Sequence, residues 1–87
     1  MKELERVLKA LANGRRLAII KFIKEEKEVT VGDIASAIKL SLKATSRHLS
    51  ILSAADIVEK DQRGLHMWYR LSQQRHHIVK YVSNSFE

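Results

Sequence analysis

Cysteine and proline are both absent from this 87-residue chain. Without cysteine there is no disulfide, no thiolate metal site and no redox-sensing thiol pair. Without proline, punctuation falls to three glycines: Gly14, Gly32 and Gly64. No apolar run approaches the roughly 18 residues of a membrane span. The opening "MKELERVLKAL" alternates charge with apolar residues, unlike a signal peptide. Those absences predict a cytoplasmic protein with no membrane partner. Catalytic equipment is missing too. His48, His66, His76 and His77 have no spaced serine or cysteine that suggests a triad, and there is no glycine-rich phosphate loop. The expectation is a protein that is not an enzyme, with no catalytic residues and no cofactor.

Acid is scarce as well. Ten Asp and Glu face sixteen Lys and Arg, a formal net charge of +6, and the pI is near 9.9. Such an excess on a small domain points first to a polyanion, usually nucleic acid. A content of 45% hydrophobic residues argues against disorder. A chain this short buries only roughly 60–65% of its unfolded surface, so a monomer is marginal. With no staples available, oligomerisation is the remaining source of buried surface.

Periodicity supplies the elements. Leu4, Val7, Leu8 and Leu11 form one helical stripe in Lys2–Ala12. Asn13-Gly14 should stop that helix in a left-handed backbone. Arg15–Glu26 is apolar over most of its circumference and should be the core helix. Glu28–Thr30 reads as a stub of strand. Thr30 and Asp33 resemble a capping box that opens a third helix, with Ile34, Ala35 and Ile38 inward. Ser41 should cap a fourth helix ending near Ala54. From Ile57 the period changes to two, and "IVEKDQ" and "LHMWYRL" read as a hairpin with Leu65, Met67, Tyr69 and Leu71 on one face. Ser72 should cap a last helix, Gln73–Asn84, carrying Ile78, Val79, Tyr81 and Val82. The fold class is therefore mainly α with a small β-hairpin, in the order α-α-(β)-α-α-β-β-α. That order is a winged helix-turn-helix, occupying residues 1–87 as a single domain.

The fourth helix carries the chemistry. Its sequence "LSLKATSRHLSIL" holds no carboxylate, and none occurs from Ser41 to Ala55. Thr45, Leu49 and Leu52 fall on one side of the helix, with His48 flanking. Leu42, Lys43, Ser46, Arg47 and Ser50 fall on the other. An ordinary solvated helix would pair Glu with Lys at i, i+4. This bare basic face suits a DNA major groove: arginine pairs with guanine O6 and N7, serine meets base edges or phosphate, and Leu42 meets thymine methyls. The Ser41 cap leaves helix N-terminal amides for phosphate. The stripe of Leu4, Val7, Leu8 and Leu11, and that of Ile78, Tyr81 and Val82, are too apolar to leave wet, so a homodimer is expected. Trp68 and Tyr69 alternate across a strand, which makes Tyr69 a core residue and Trp68 a support for the wing or a dimer contact.

With these pieces placed, the chain resembles the ArsR family of winged-helix repressors, which includes the SmtB-like metal sensors. The resemblance rests on "LKALANGRRLAIIKFI", "VGDIASAIKLSLKATSRHLSIL" and "ADIVEKDQRGLHMWYRL", and covers about Leu8–Tyr81. It implies a homodimer joined through the first and last helices, binding to double-stranded DNA at a short inverted repeat, and release by an inducer that the sequence leaves unknown. It assigns base reading to Leu42, Lys43, Ser46 and Arg47, and the wing contact to Gln62, Arg63 and His66. The family's metal sites are not matched. Thr30 and Gly32 stand where some members have Cys-x-Cys. Arg75 replaces the acid of the last-helix site, leaving His77 as one matched ligand and Glu87 at the end of the chain. No metal site is therefore expected. The competing readings are a metal-responsive SmtB-like sensor, and a winged-helix module for protein interaction or DNA architecture.

Overall fold

A computed structural model describes residues 1–86. Among them, α1 (Lys2–Leu11), α2 (Gly14–Glu26), β1 (Val29–Thr30), α3 (Val31–Ile38), α4 (Leu42–Ala54), β2 (Val58–Arg63), β3 (His66–Leu71) and α5 (His77–Ser83) follow in order. The strands form one antiparallel sheet in the order β1-β3-β2. None of these helices is long and apolar enough to cross a membrane.

Local chemistry explains most boundaries. Thr30 Oγ1 accepts from the Asp33 amide at 3.2 Å, and Asp33 Oδ2 accepts from the Thr30 amide at 3.1 Å. The capping box is therefore complete at the start of α3. Lys39 takes the left-handed conformation that ends α3, and Ser41 Oγ accepts from the Ala44 amide at 3.1 Å to open α4. Two helices and a tight turn result. Asn13 does something other than stop α1. Its backbone is extended, and its side chain accepts from the amides of Arg15 and Arg16, capping α2. Gly14 is the first residue of that helix, not a left-handed stop.

The core forms where α2 meets the other helices and β3. Ile19, Ile20 and Ile23 are sealed against Ile34 of α3, Leu49 and Leu52 of α4, Ile57, and Val79 of α5. Val7 and Leu11 join this cluster from α1. Burying a side chain of this size is worth roughly 1.5–3 kcal/mol, so these contacts carry the fold.

Two expectations fail in the C-terminal half. Gly64 and Leu65 form the two-residue loop of the hairpin, with Arg63 paired to His66. Gly64 has φ 59°, a value glycine adopts without strain. Leu65 is consequently not inward but 96% exposed. The last helix starts at His77, four residues later than the apolar pattern suggests. Ser72 instead extends the β2–β3 pairing by one residue: its amide donates to the Ile57 carbonyl at 2.9 Å. Its hydroxyl closes a local turn on the Gln74 amide at 3.0 Å. The cap is His76, whose Nδ1 accepts from the Ile78 amide at 3.1 Å.

Candidate nucleic-acid interface

Helix α4 is two-faced in three dimensions. Thr45, Leu49 and Leu52 are fully buried. Leu42, Lys43, Ser46, Arg47 and Ser50 are exposed, and Leu42 keeps 58% of its surface. The Ser41 cap occupies only the Ala44 amide, leaving the amides of Leu42 and Lys43 without an acceptor among the described residues. The face thus offers a guanidinium, an ammonium, two free hydroxyls and two helix N-terminal amides, all of them donors for phosphate or base edges.

Arg16 holds this helix in place. Its Nε donates to the Ala10 carbonyl at 2.7 Å, and Nη2 to the Lys9 carbonyl at 3.3 Å. Those carbonyls end α1, where a cation is favoured. Nη1 of the same guanidinium sits 3.3 Å from His48 Nδ1 on α4. Arginine can only donate, so Nδ1 accepts and the ring hydrogen lies on Nε2. Burial, and then the charges of Arg16, Arg15 and Arg47, hold His48 below the ordinary histidine pKa. His48 is therefore a neutral acceptor at neutral pH, tying α4 to α1 through Arg16. Arg15 is exposed at the start of α2, and its charge, like that of Arg47, acts on His48. The sequence reading gave Arg15 no role. Its signal is its place in the first turn of α2, two residues after the Asn13 cap.

The wing departs from expectation. Strand alternation puts Glu59, Asp61 and Arg63 on one face, with their cross-strand partners Arg70, Trp68 and His66 beside them. Gln62 pairs with Met67 and so points to the other face. All three predicted wing residues are exposed, but they do not form one surface. Arg63 is also already engaged. Its Nη1 and Nη2 donate to the Glu28 carboxylate at 2.9 and 2.6 Å, and its Nε to Asp61 at 3.1 Å. Its guanidinium carbon lies 5.6 Å from the Trp68 ring centroid. Arg70 continues the chain of charges, donating to Glu59 at 2.8 Å and to Glu28 at 3.3 Å. Glu28 is held below the usual carboxylate range, first by the Arg63 hydrogen bonds and then by Arg63's charge and Arg70. The exposed Lys60 makes no ion pair among the described residues. Strand periodicity alone does not single it out. Trp68 serves as the platform under Arg63, while Tyr69 packs on the core and burial raises its pKa.

The dimerisation residues divide. Val7 and Leu11 are packed into the protomer's own core, at 1% and 6% exposure. A helix with 3.6 residues per turn turns part of a four-residue stripe inward when α2 lies beside it. Leu8 remains half exposed and Leu4 partly so, lining a shallow groove with Met1 and Ala12. Tyr81 is 71% exposed, while Ile78 and Val82 are half-buried against the core. His76 and His77 stack with ring centroids 4.2 Å apart. Among the described residues, no three or more His, Cys, Asp or Glu are grouped to hold a metal.

A helix-turn-helix with an exposed basic second helix, followed by a β-hairpin, makes this a winged helix-turn-helix protein. The family model of the arsR family of bacterial regulatory proteins matches residues 13–60, more than half of the chain. The chain belongs to that family. It is 36% identical over 72 residues to the HTH-type transcriptional regulator Rv0324 of Mycobacterium tuberculosis, covering 83% of this chain and 31% of the relative. It is also 36% identical over 66 residues to the transcriptional activator HlyU of Vibrio cholerae, covering 76% of this chain and 60% of HlyU. The chain thus spans less than two thirds of the length of either relative. Its fold superimposes with a TM-score of 0.84 on the homodimeric winged helix-turn-helix DNA-binding domain of Mb0332 from Mycobacterium bovis. Identity there is 31%, covering 95% of this chain and 74% of that one.

Proposed function

We propose that this protein is a transcriptional regulator, acting as a repressor and not as an enzyme. In this reading it binds double-stranded DNA sequence-specifically, as a homodimer, in the cytoplasm, with all 87 residues forming one DNA-binding domain. The observation that carries the reading is the carboxylate-free face of α4, which presents Lys43, Ser46, Arg47 and Ser50 outward while Thr45, Leu49 and Leu52 are sealed inside. Membership of the arsR family and the likeness to a homodimeric DNA-binding domain support it. Two-fold symmetry would set the paired α4 helices about 34 Å apart, in successive major grooves on an inverted repeat. Arg47 reads guanine in this arrangement. Lys43, the α4 amides and Arg15 meet phosphate. Leu42 contacts a thymine methyl.

The test starts from an operator selected out of random duplexes by the purified protein. Arg47→Ala is expected to weaken binding to that operator by roughly 1–3 kcal/mol and to relax specificity at one base pair. Lys43→Ala should weaken operator and random DNA alike, and lower the salt slope by about one. If neither substitution changes affinity, α4 is not the reading helix.

A further inference from the structure

An open cleft of about 500 Å³ lies between α2, β3 and α5, away from the exposed face of α4. Its lining includes Lys24, Lys27, Arg70, Arg75 and Lys80, and no carboxylate among the described residues. Such crowding of like charge is unfavourable unless something neutralises it. Arg70 is neutralised, by Glu59 and Glu28. The others are not. Lys24 donates only to neutral oxygens, the Ser83 carbonyl at 2.7 Å and Asn84 Oδ1 at 2.9 Å. Arg75 gives one bond to the Ser72 carbonyl at 2.6 Å, and its Nε is buried with no partner among the described residues. Lys27 and Lys80 are exposed and form no ion pair among the described residues.

We propose that this cleft binds a small organic anion bearing two or more phosphate or carboxylate groups. The volume falls within the range of small-molecule sites and is too small for a duplex. Arginine supplies a planar fork and lysine a mobile point charge, the pair of donors that such groups take. Ile23 and Leu71 give the cleft an apolar wall for a short carbon skeleton. The site also touches α5, whose C-terminal end Lys24 ties to α2. An anion that draws Lys24 toward itself competes with that tie.

Pyrophosphate and citrate are the probes, titrated calorimetrically into the whole chain at constant ionic strength. Wild type is expected to bind at least one of them at submillimolar concentration. Lys27→Ala/Lys80→Ala should bind it at least about tenfold more weakly, since two charge-assisted contacts are lost. The pair Lys27→Gln/Lys80→Gln keeps the side-chain stems and should behave the same way if the alanine pair folds poorly. Arg47→Ala should leave probe binding unchanged, which separates this site from the DNA face. Three results overturn the proposal. One is no binding of either probe at millimolar concentration. Another is equal binding by wild type and both double variants. The third is a fall in duplex affinity and salt slope in those variants, which would make the cleft a DNA contact instead.

Discussion

Thr45 is the buried polar residue of α4. It is fully buried, and its Oγ1 has no hydrogen-bond partner among the described residues. A buried hydroxyl left unpaired costs about 1–3 kcal/mol, and valine matches its shape without that penalty. Thr45→Val is expected to leave stability unchanged or raise it by about 1 kcal/mol, measured by urea unfolding. A loss above about 1 kcal/mol would mean that a bound water satisfies the hydroxyl. His48, three residues on, makes stability depend on pH. Its folded pKa is lowered, chiefly by burial. The folded state therefore binds the proton less readily than the unfolded chain. Its contribution is intact above the unfolded value of about 6.5 and is lost as pH falls through the folded value. Protonation also places a hydrogen on Nδ1, where Arg16 donates. Urea midpoints measured between about pH 7 and pH 5 should fall, and fall less in His48→Gln. Equal pH slopes in the two proteins would remove His48 from the account.

At the scale of the element, the wing behaves as a charge ladder. Glu59, Arg70, Glu28, Arg63 and Asp61 alternate in sign along its outer face. Arg63 therefore spends its guanidinium on carboxylates, and Arg63→Ala should cost less DNA affinity than Arg47→Ala. Glu28→Gln supplies the sharper test. It removes the bidentate partner and one negative charge. With only Asp61 left on its Nε, Arg63 should turn its terminal nitrogens to phosphate, strengthen binding to all DNA sequences and steepen the salt slope by about one. That gain should vanish in Glu28→Gln/Arg63→Ala, as assayed by fluorescence anisotropy across salt concentrations. Unchanged affinity in Glu28→Gln would place the wing off the DNA. Exposed ion pairs add little to stability, so the substitution should leave the fold intact.

For the whole molecule, the question is what covers Leu8, Leu4 and Tyr81. A domain of 87 residues leaves much of its apolar surface wet, and a second copy is the obvious cover. Light scattering at micromolar concentration should report twice the 10.0 kDa protomer mass. Leu8→Glu sets a charge on the half-exposed side of α1 while leaving Val7 and Leu11 in the core. It should shift the chain toward monomer and make operator binding weaken more steeply on dilution. A monomeric wild type, or a variant that dimerises equally well, would move the interface elsewhere.

Much of this was legible in the sequence because the physics involved is local. Capping at Thr30 and Ser41 joins groups three residues apart. The two faces of α4 follow from a period of 3.6, and the hairpin from a period of two. The carboxylate-free stretch from Ser41 to Ala55 marked the candidate interface with no structure at all. What the tertiary structure alone decided is non-local. Glu28 meets Arg63 across 35 residues of sequence, and Arg16 meets His48 across 32, because strand register and helix packing bring them together. Val7 and Leu11 turned inward because α2 lies beside α1, which no periodicity within α1 encodes. Ser72 does not open the last helix because its backbone is still paired to the sheet, through its amide and the Ile57 carbonyl fifteen residues back, and the helix begins only after His76. A hydrogen-bond donor or a charge has the same letter whether it is free or taken. Its availability depends on the partner the fold delivers, and the sequence names the group without naming that partner.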